Sequence, residues 1–586
     1  MEVTRIFDLL PRYEEKFKPK DDVVAAKINK KWKKYSIKEF RENVDNISYG
    51  LMKLGIKKGD KIATISPNRP EWNFVDHAIL QLGAVHVPIY PTISESDYRY
   101  ILNESEVKYL FISGKDIWRK IEHVIPDHEH IKGVYSFNET GFLKHISELI
   151  KLGKAHKNPE ALEKSKAAVK EDDVATMIYT SGTTGNPKGV MLSHKNILSN
   201  VDGVANIIPV DENCKAVSYL PLCHVYERTN IYVYLYLGVS VYYAENMGTI
   251  AADIQEIKPE ILTTVPRLLE KVYDKILAKG RLLKGIKHRL FFWAVKLGNK
   301  YEYDISNPVY LAKLKIADKL IFTKWRDALG GNLRAVISGG AALQPRLARV
   351  LNAAGIPTVE GYGMTESSPV IAVNAFEKGK RKIGTVGPPL YNVEVKISEE
   401  GEILAKGPNI MLGYYKQPEL TKKTITDGWL HTGDMGKIDE DGMLKITGRL
   451  KEVFKTSMGK YVSPALIENK FKESPLIDQI IVLGEHQKFV AALIVPDFEY
   501  LRQWSKLHGI KFESNQQIIK EKEVINRYKK EISEYNKHFG DFERIKKFEL
   551  IDHEWSIETG EITANLKLKR RAIMEKYKDV IDKLFA

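Results

Sequence analysis

A chain of 586 residues with net charge +14, 43% hydrophobic and 28% charged, has the composition of a globular protein with a large buried core. Its two cysteines, Cys214 and Cys223, exclude a disulfide framework and a cysteine-based zinc site. Residues 1–8 carry no long apolar run, so a cytoplasmic, reducing setting is expected.

Residues 58–113 alternate between two periods. Lys61–Ile65 reads as a strand, 70–82 as a helix with Pro70 near its start, 84–88 as a second strand, 95–103 as a helix and Tyr109–Ile112 as a third strand. That rhythm predicts βαβ units and a largely parallel sheet. Residues 150–170, rich in Lys, Ala and Glu, read as a surface linker or helix leading to a strand at 174–179. Residues 215–221, 261–265 and 333–338 read as further strands and 346–354 as a helix. The most apolar long stretch, 231–244, is broken by Gly238 and falls short of the roughly 18–20 residues a spanning helix needs; a buried strand or a core helix both suit it.

Between 275 and 300 the chain has eight Lys or Arg and no acid, interleaved with Leu282, Leu283, Ile286, Leu290, Phe291, Phe292, Trp293, Val295 and Leu297. A basic amphipathic segment can lie on an anionic membrane or pack its apolar face on its own domain. Packing is the plainer expectation; peripheral membrane contact stays open, and nucleic acid is not expected because no recognition motif accompanies the charge. The helical insertion is expected over about 275–328. From residue 384 short strands at 393–397, 401–405 and 443–446, joined by Gly, Pro and Asp turns, predict an antiparallel β module. Beyond residue 452, strands at 479–484 and 490–495 and helices near 516–537 and 570–584 predict a separate small α/β unit.

The stretch that carries most chemistry is Thr180-Ser181-Gly182-Thr183-Thr184-Gly185-Asn186-Pro187-Lys188-Gly189, with seven Ser, Thr or Gly residues and one Lys. Glycines turn N–H groups toward one point, hydroxyls add donors and Lys188 adds a charge, as a polyphosphate requires. A Walker A loop read from Gly182 would need Gly at 187 and Ser or Thr at 189; Pro187 and Gly189 exclude it. Taken alone, a flexible surface loop suits these residues equally well.

Four further motifs follow in order: Gly361-Tyr362-Gly363-Met364-Thr365-Glu366, His431-Thr432-Gly433-Asp434, Gly448-Arg449-Leu450-Lys451-Glu452 and Leu566-Lys567-Leu568-Lys569-Arg570-Arg571. Together with the loop they resemble the adenylate-forming (AMP-binding) superfamily over essentially the whole chain. The insertion before Gly331-Asn332-Leu333-Arg334 and the form Glu360-Gly361-Tyr362 make it most similar to the long-chain fatty acyl-CoA synthetase branch.

The resemblance implies an α/β fold: a large N-terminal region of α/β subdomains with a β module (1–448), a hinge (449–452) and a small mobile α+β C-terminal domain (453–586). It implies ATP, Mg²⁺ and coenzyme A as reactants and cofactor, and a fatty acid as the other substrate. Thr180, Ser181, Gly182, Thr183, Thr184, Gly185 and Lys188 would hold the β- and γ-phosphates. Gly339, Gly340, Ala341, Gly361, Tyr362 and Gly363 would hold the adenine side. Thr365 would lie near the α-phosphate and Glu366 would ligate Mg²⁺. Asp434 and Arg449 would meet the ribose. Lys567 would be the catalytic lysine, Lys451 the hinge and Lys460 a CoA contact. His224 and Tyr226 would border the acyl site.

Thr563-Ala564-Asn565 departs from the family's usual Thr-Pro-Thr, which leaves the segment before Lys567 less rigid. An adenylating enzyme that hands its acyl group to a carrier protein is the nearest rival. A catalytically silent membrane-surface scaffold is the rival from another class. Acyl chain length, the gate of the acyl tunnel and the oligomeric state, a homodimer included, stay open at this level.

Overall fold

The computed structural model describes residues 2–180, 186–246, 248–556, 558–562 and 568–586. Contacts within the chain divide it into two units. One comprises Met1–Lys396, Leu404–Thr432 and Asp439–Leu444, the other Ile397–Ile403, Gly433–Ile438 and Lys445–Ala586.

The first unit is built on two eight-stranded sheets. In one, Lys61–Ile65, Val85–Ile89, Tyr109–Ile112, Gly133–Ser136 and Val174–Thr180 run parallel, as the βαβ rhythm predicted. Two antiparallel strands, Lys188–Ser193 and Gly413–Tyr414, extend it beyond Val174–Thr180. The other sheet centres on parallel Lys215–Ser218, Ser240–Tyr243, Ile261–Thr264, Ala335–Ser338 and Thr358–Gly363. The central strands are apolar on both faces, which suits a sheet covered on both sides.

The stretch 231–244 is both of the structures its composition allowed. Helix Val225–Leu237 ends at Gly238, in the left-handed region at φ +80°, and strand Ser240–Tyr243 follows. A glycine there caps the helix at no steric cost.

A buried polar network locks this helix to the first sheet. Asp76 of helix Pro70–Gln81 accepts from Arg228 and from the Tyr232 hydroxyl, and its Oδ1 lies 2.7 Å from His86 Nδ1. Arg228 also donates to Tyr232 Oη (2.8 Å) and to Thr176 Oγ1 (2.5 Å), while His86 Nε2 meets Thr64 Oγ1 at 2.8 Å. Burial works against an ionised Asp76, yet Arg228 and His86 hold its carboxyl well below the ordinary range. A wholly buried charge persists only when paired in this way.

The insertion is helical: Pro266–Arg281, Gly285–Gly298, Pro308–Ala317 and Thr323–Ala328. One face does what the plainer expectation held. Phe291, Val295, Leu297 and Trp325 are buried in a core with Leu347 and Val350 of helix Pro345–Ala353. The other face does not pack: Leu282 and Ile286 are 81% and 74% exposed beside exposed Lys284, Lys287 and Arg289. Among the described residues no helix is long and apolar enough to cross a membrane.

The second unit has a three-stranded sheet, Ile477–Leu483 antiparallel to Val490–Pro496 and Val490–Pro496 parallel to Ile545–Leu550. Helices Pro464–Phe471, Phe498–Leu507 and Lys522–Asn536 pack their apolar faces on it. The single helices predicted near 516–537 and 570–584 are each divided. The first splits into Asn515–Ile518 and Lys522–Asn536, because Glu521 is extended at the start of the longer helix. The second splits into Arg570–Lys576 and Lys578–Phe585 around Tyr577, which leaves helical geometry at φ −103°, ψ +21°.

Candidate active site

Two paired strands flank the Gly/Thr loop. Val174–Thr180 and Lys188–Ser193 pair antiparallel, with Thr180 opposite Lys188. Ser181, Gly182, Thr183, Thr184 and Gly185 lie outside the described residues, as does Lys567. Thr180 and Lys188 thus mark the two stems that present the loop. Gly189 sits where a Cβ would come within 3.0 Å of Met177 and 3.2 Å of the Tyr179 ring, so the strand after Lys188 is closely packed.

A two-residue strand, Gly413–Tyr414, forms the hairpin's third member, with Tyr414 opposite Val190. The Lys188 ammonium lies 5.4 Å from the centre of the Tyr414 ring, within cation–π range. On its other side the Tyr414 hydroxyl donates to Glu366 Oε1 at 2.8 Å. Lys188 and Glu366, far apart in sequence, are therefore joined through one tyrosine.

Glu366 stands in the short turn Thr365–Ser367, where Thr365 and Glu366 are each 8% exposed. Amide side chains hold the turn. Asn409 donates to the carbonyls of Ser367 (3.1 Å) and Val370 (3.0 Å), and Asn200 donates to the same two carbonyls while accepting from Val370 N at 2.6 Å. Gly363 just before the turn admits no side chain, since a Cβ would lie 1.8 Å from Pro369 O. Among the described residues no cluster of three or more His, Cys, Asp or Glu gathers to hold a metal. Glu366 is a single hard oxygen donor, which suits an ion that keeps water and phosphate as its other ligands.

The residues expected on the adenine side sit at the ends of neighbouring parallel strands. Ala335–Ser338 leads into Gly339 and Gly340, the latter at φ +81°, and Ala341 follows in an exposed loop. Thr358–Gly363 carries Gly361, Tyr362 and Gly363, with Tyr362 paired to Ala372. A Cβ on Gly339 would lie 2.8 Å from the Tyr226 ring, and the Tyr226 hydroxyl donates to Ile337 O at 3.1 Å. Tyr226 thus packs against the strand that ends at Gly339. His224 caps the same helix: its Nδ1 accepts from Tyr226 N at 3.1 Å, so a neutral ring carries its proton on Nε2.

Two buried carboxyls had no role assigned to them from sequence. Glu360 accepts from Leu343 N at 2.9 Å and so ties the loop after Gly339 to the strand before Gly361. Burial pushes its carboxyl up to about 8. Glu227, next to Tyr226, accepts from Ser218 Oγ at 2.5 Å, and burial likewise raises it to about 8. Glu360 had one signal, an acid set between the apolar strand and the glycine motif. Glu227 had none beyond its place beside Tyr226.

In the second unit Asp434 is buried, with Arg449 Nε 3.1 Å from its Oδ1. The Asp434 strand bends at Gly433, whose N–H donates to Glu402 Oε1 (2.8 Å) and whose carbonyl accepts from Leu450 N (2.9 Å). The chain then turns, Glu452 and Val453 both donating to Arg449 O, with Lys451 exposed in the turn. Lys460 is exposed at a tight reversal in which Thr456 N donates to Lys460 O at 2.9 Å. Arg570 donates to Val482 O (2.7 Å) and pairs with Glu468, so this arginine anchors the start of helix Arg570–Lys576.

The fold, the hairpin and the ordered motifs define the class. The chain belongs to the AMP-binding enzyme family: the family's main domain matches residues 13–415 and its C-terminal domain matches residues 451–586. Within it, the chain is 33% identical to the long-chain-fatty-acid–CoA ligase FadD15 of Mycobacterium bovis, covering 94% of this chain and 92% of that one. It is also 33% identical to fatty acyl-CoA synthetase A of Dictyostelium discoideum, over 95% and 86% of the two chains. Among solved structures it resembles the anthranilate–CoA ligase AuaEII bound to anthranoyl-AMP, with TM-score 0.75 and 18% identity over 99% and 98% of the chains. That likeness speaks for the fold.

The raised Glu360 carboxyl makes stability depend on pH. Unfolded, it ionises near 4.5; folded, near 8. Across that window the folded state binds more protons, so stability falls as pH rises and the loss is complete above about 8. Glu360→Gln keeps an acceptor for Leu343 and cannot ionise. Its stability should match the wild type near pH 5 and exceed it increasingly toward pH 8, by at most roughly 1.4 kcal/mol per pH unit. Thermal melts across pH 5–9 check this; parallel curves would sink it.

Proposed function

We propose that the chain activates a long-chain fatty acid with ATP and transfers the acyl group to coenzyme A, giving acyl-CoA, AMP and pyrophosphate. The observation that carries this reading is the meeting of Lys188, Tyr414 and Glu366 beside Thr365, in a chain related over 94% of its length to a long-chain-fatty-acid–CoA ligase. A carboxylate is a poor electrophile and is repelled by ATP's phosphates. Activation therefore requires polyphosphate held in place, charge neutralised at the α-phosphorus and the nucleoside fixed.

The 180–188 loop, with Lys188 at its stem, takes the β- and γ-phosphates. Gly339, Gly340, Ala341, Gly361, Tyr362 and Gly363 form the adenine side, with Glu360 bracing both segments. Asp434 accepts from the ribose hydroxyls and Arg449 donates to ribose or phosphate. Glu366 would hold Mg²⁺, which when bound would offset charge on the phosphates; a buried carboxylate oriented by the Tyr414 hydroxyl suits that role.

The fatty acid's carboxylate oxygen attacks the α-phosphorus near Thr365. The bond to pyrophosphate breaks and an acyl-adenylate forms. The thiolate of coenzyme A then attacks the acyl carbon and AMP leaves. His224 and Tyr226 border the acyl group. A hinge at 449–452, around Lys451, serves the change between the two half-reactions, and Lys460 contacts coenzyme A in the second. The enzyme is cytoplasmic, in keeping with its two free, buried cysteines.

Lys567 stabilises the anions of the first half-reaction. A cation about 4 Å from the reacting oxygens is worth roughly 4 kcal/mol at an effective dielectric near 20. Felt in the transition state, that is on the order of a thousandfold in rate. Lys567→Ala should therefore slow acyl-adenylate formation about a thousandfold and barely slow attack of coenzyme A on preformed acyl-adenylate. Single-turnover measurement of each half-reaction checks this, and equal losses would reject the assignment. The reading as a whole is tested by pyrophosphate release across acids from short to very long chain, with coenzyme A against acyl-carrier protein as acceptor. Release that peaks on long chains and turnover with coenzyme A are expected. Turnover with the carrier protein alone would favour the rival.

The exposed face of the insertion makes peripheral contact with an anionic membrane. Leu282, Ile286, Val309 and Ile316 face solvent among exposed lysines and arginines, the composition of a surface-binding helix. Flotation with phosphatidylglycerol vesicles and not with phosphatidylcholine is expected. The double variant Leu282→Asp, Ile286→Asp should lose it while keeping its activity on soluble short acids. Equal flotation on both lipids, or none, would remove the proposal.

A further inference from the structure

Resting on the adenylating reading above, we infer that Tyr414 is a positioning residue that couples the phosphate-holding lysine to the metal-holding carboxylate. Its hydroxyl donates to Oε1 of Glu366 at 2.8 Å, and its ring lies 5.4 Å from the Lys188 ammonium.

The backbone shows why this tyrosine is held so firmly. Met411 N donates to the carbonyl of Glu366 itself at 2.9 Å, Leu412 N to Met191 O at 3.0 Å and Tyr415 N to Gly189 O at 2.8 Å. The segment 411–415 is thus fastened to the Glu366 turn and to the hairpin at once. Tyr414 N donates to Thr421 Oγ1 at 2.9 Å. The preceding residue must be glycine: Gly413 sits at φ +142°, and a Cβ there would lie 2.7 Å from Thr421 Cγ2. Asn196, from the helix that also carries Asn200, donates to the carbonyls of Pro408 (2.8 Å) and Ile410 (2.9 Å) and so anchors the start of the segment. A side chain used only to fill space would not require its hydroxyl to meet a carboxylate and its ring face to meet a cation.

A buried carboxylate oxygen already satisfied by a hydroxyl cannot rotate freely toward a metal. The donor therefore restrains the orientation of the carboxylate toward a metal, as groups behind metal ligands do elsewhere. The ring does the same for Lys188. The ammonium is confined near the loop stem. The two effects separate cleanly, because phenylalanine keeps the ring and drops the hydroxyl.

The test measures ATP binding to the full-length protein by calorimetry, with Mg²⁺ and with EDTA, together with the melting temperature. Tyr414→Phe should leave metal-free ATP affinity within about twofold of wild type and raise the Mg²⁺ concentration for half-maximal effect at least about tenfold. In a Glu366→Gln background the same change should add less than about twofold, because the hydroxyl acts through that carboxylate. Tyr414→Leu should in addition weaken metal-free ATP binding several-fold by unseating Lys188. The inference is overturned if Tyr414→Phe weakens metal-free and metal-dependent binding equally, or if its effect is undiminished in the Glu366→Gln background. It is equally overturned if the only change is a lower melting temperature. A wild-type protein that binds no ATP in either condition would instead bring down the adenylating reading, and this inference with it.

Discussion

The structure of the first unit depends on one buried ion pair. Asp76 and Arg228 are wholly enclosed, and each would be costly to bury alone. Paired, and joined by His86, Tyr232 and Thr176, they force helix Val225–Leu237 into one place against the first sheet. The N-terminus of that helix carries His224 and Tyr226, and Tyr226 rests on Gly339 of the second sheet. One helix, held by this pair, therefore touches both the sheet that contains Val174–Thr180 and the sheet whose strand Ala335–Ser338 leads into Gly339.

A second constraint is the need of backbone groups in irregular segments for partners. The Thr365–Ser367 turn lies outside regular structure and is buried, so its carbonyls must be met by side chains. Asn200 and Asn409 meet them. The same need draws segment 411–415 between the turn and the hairpin. The result is that a lysine, a tyrosine and a glutamate from three distant parts of the chain share one corner. In an enzyme that must bind a highly charged reactant, pre-set groups of this kind lower the cost of assembling the site.

Much of this was legible beforehand. Parallel strands around residues 61–112 announce themselves by alternation of apolar strands with amphipathic helices, and the family's motifs by residue type and order. Other features were not. Residues 231–244 are apolar enough for a helix or a strand, and only the packing of Gly238 at φ +80° decides where one becomes the other. The two C-terminal helical stretches have the composition of single helices, yet Glu521 and Tyr577 leave helical geometry and divide each in two. Charge and apolarity alternate along the insertion, so its composition alone could not say which apolar residues face inward. Phe291 and Trp325 do, while Leu282 and Ile286 do not.

By itself the sequence determined the family, the order of the family's motifs along the chain and the α/β class, because these depend on residue type and local spacing. Tertiary structure alone decided the partners. That Tyr414 stands between Lys188 and Glu366, that Glu360 braces the loop after Gly339, and that Tyr226 lies against Gly339 are contacts between residues remote in the chain. Nothing local encodes them. They follow from close packing and from the cost of leaving a buried polar group unpaired, and both are properties of the folded whole.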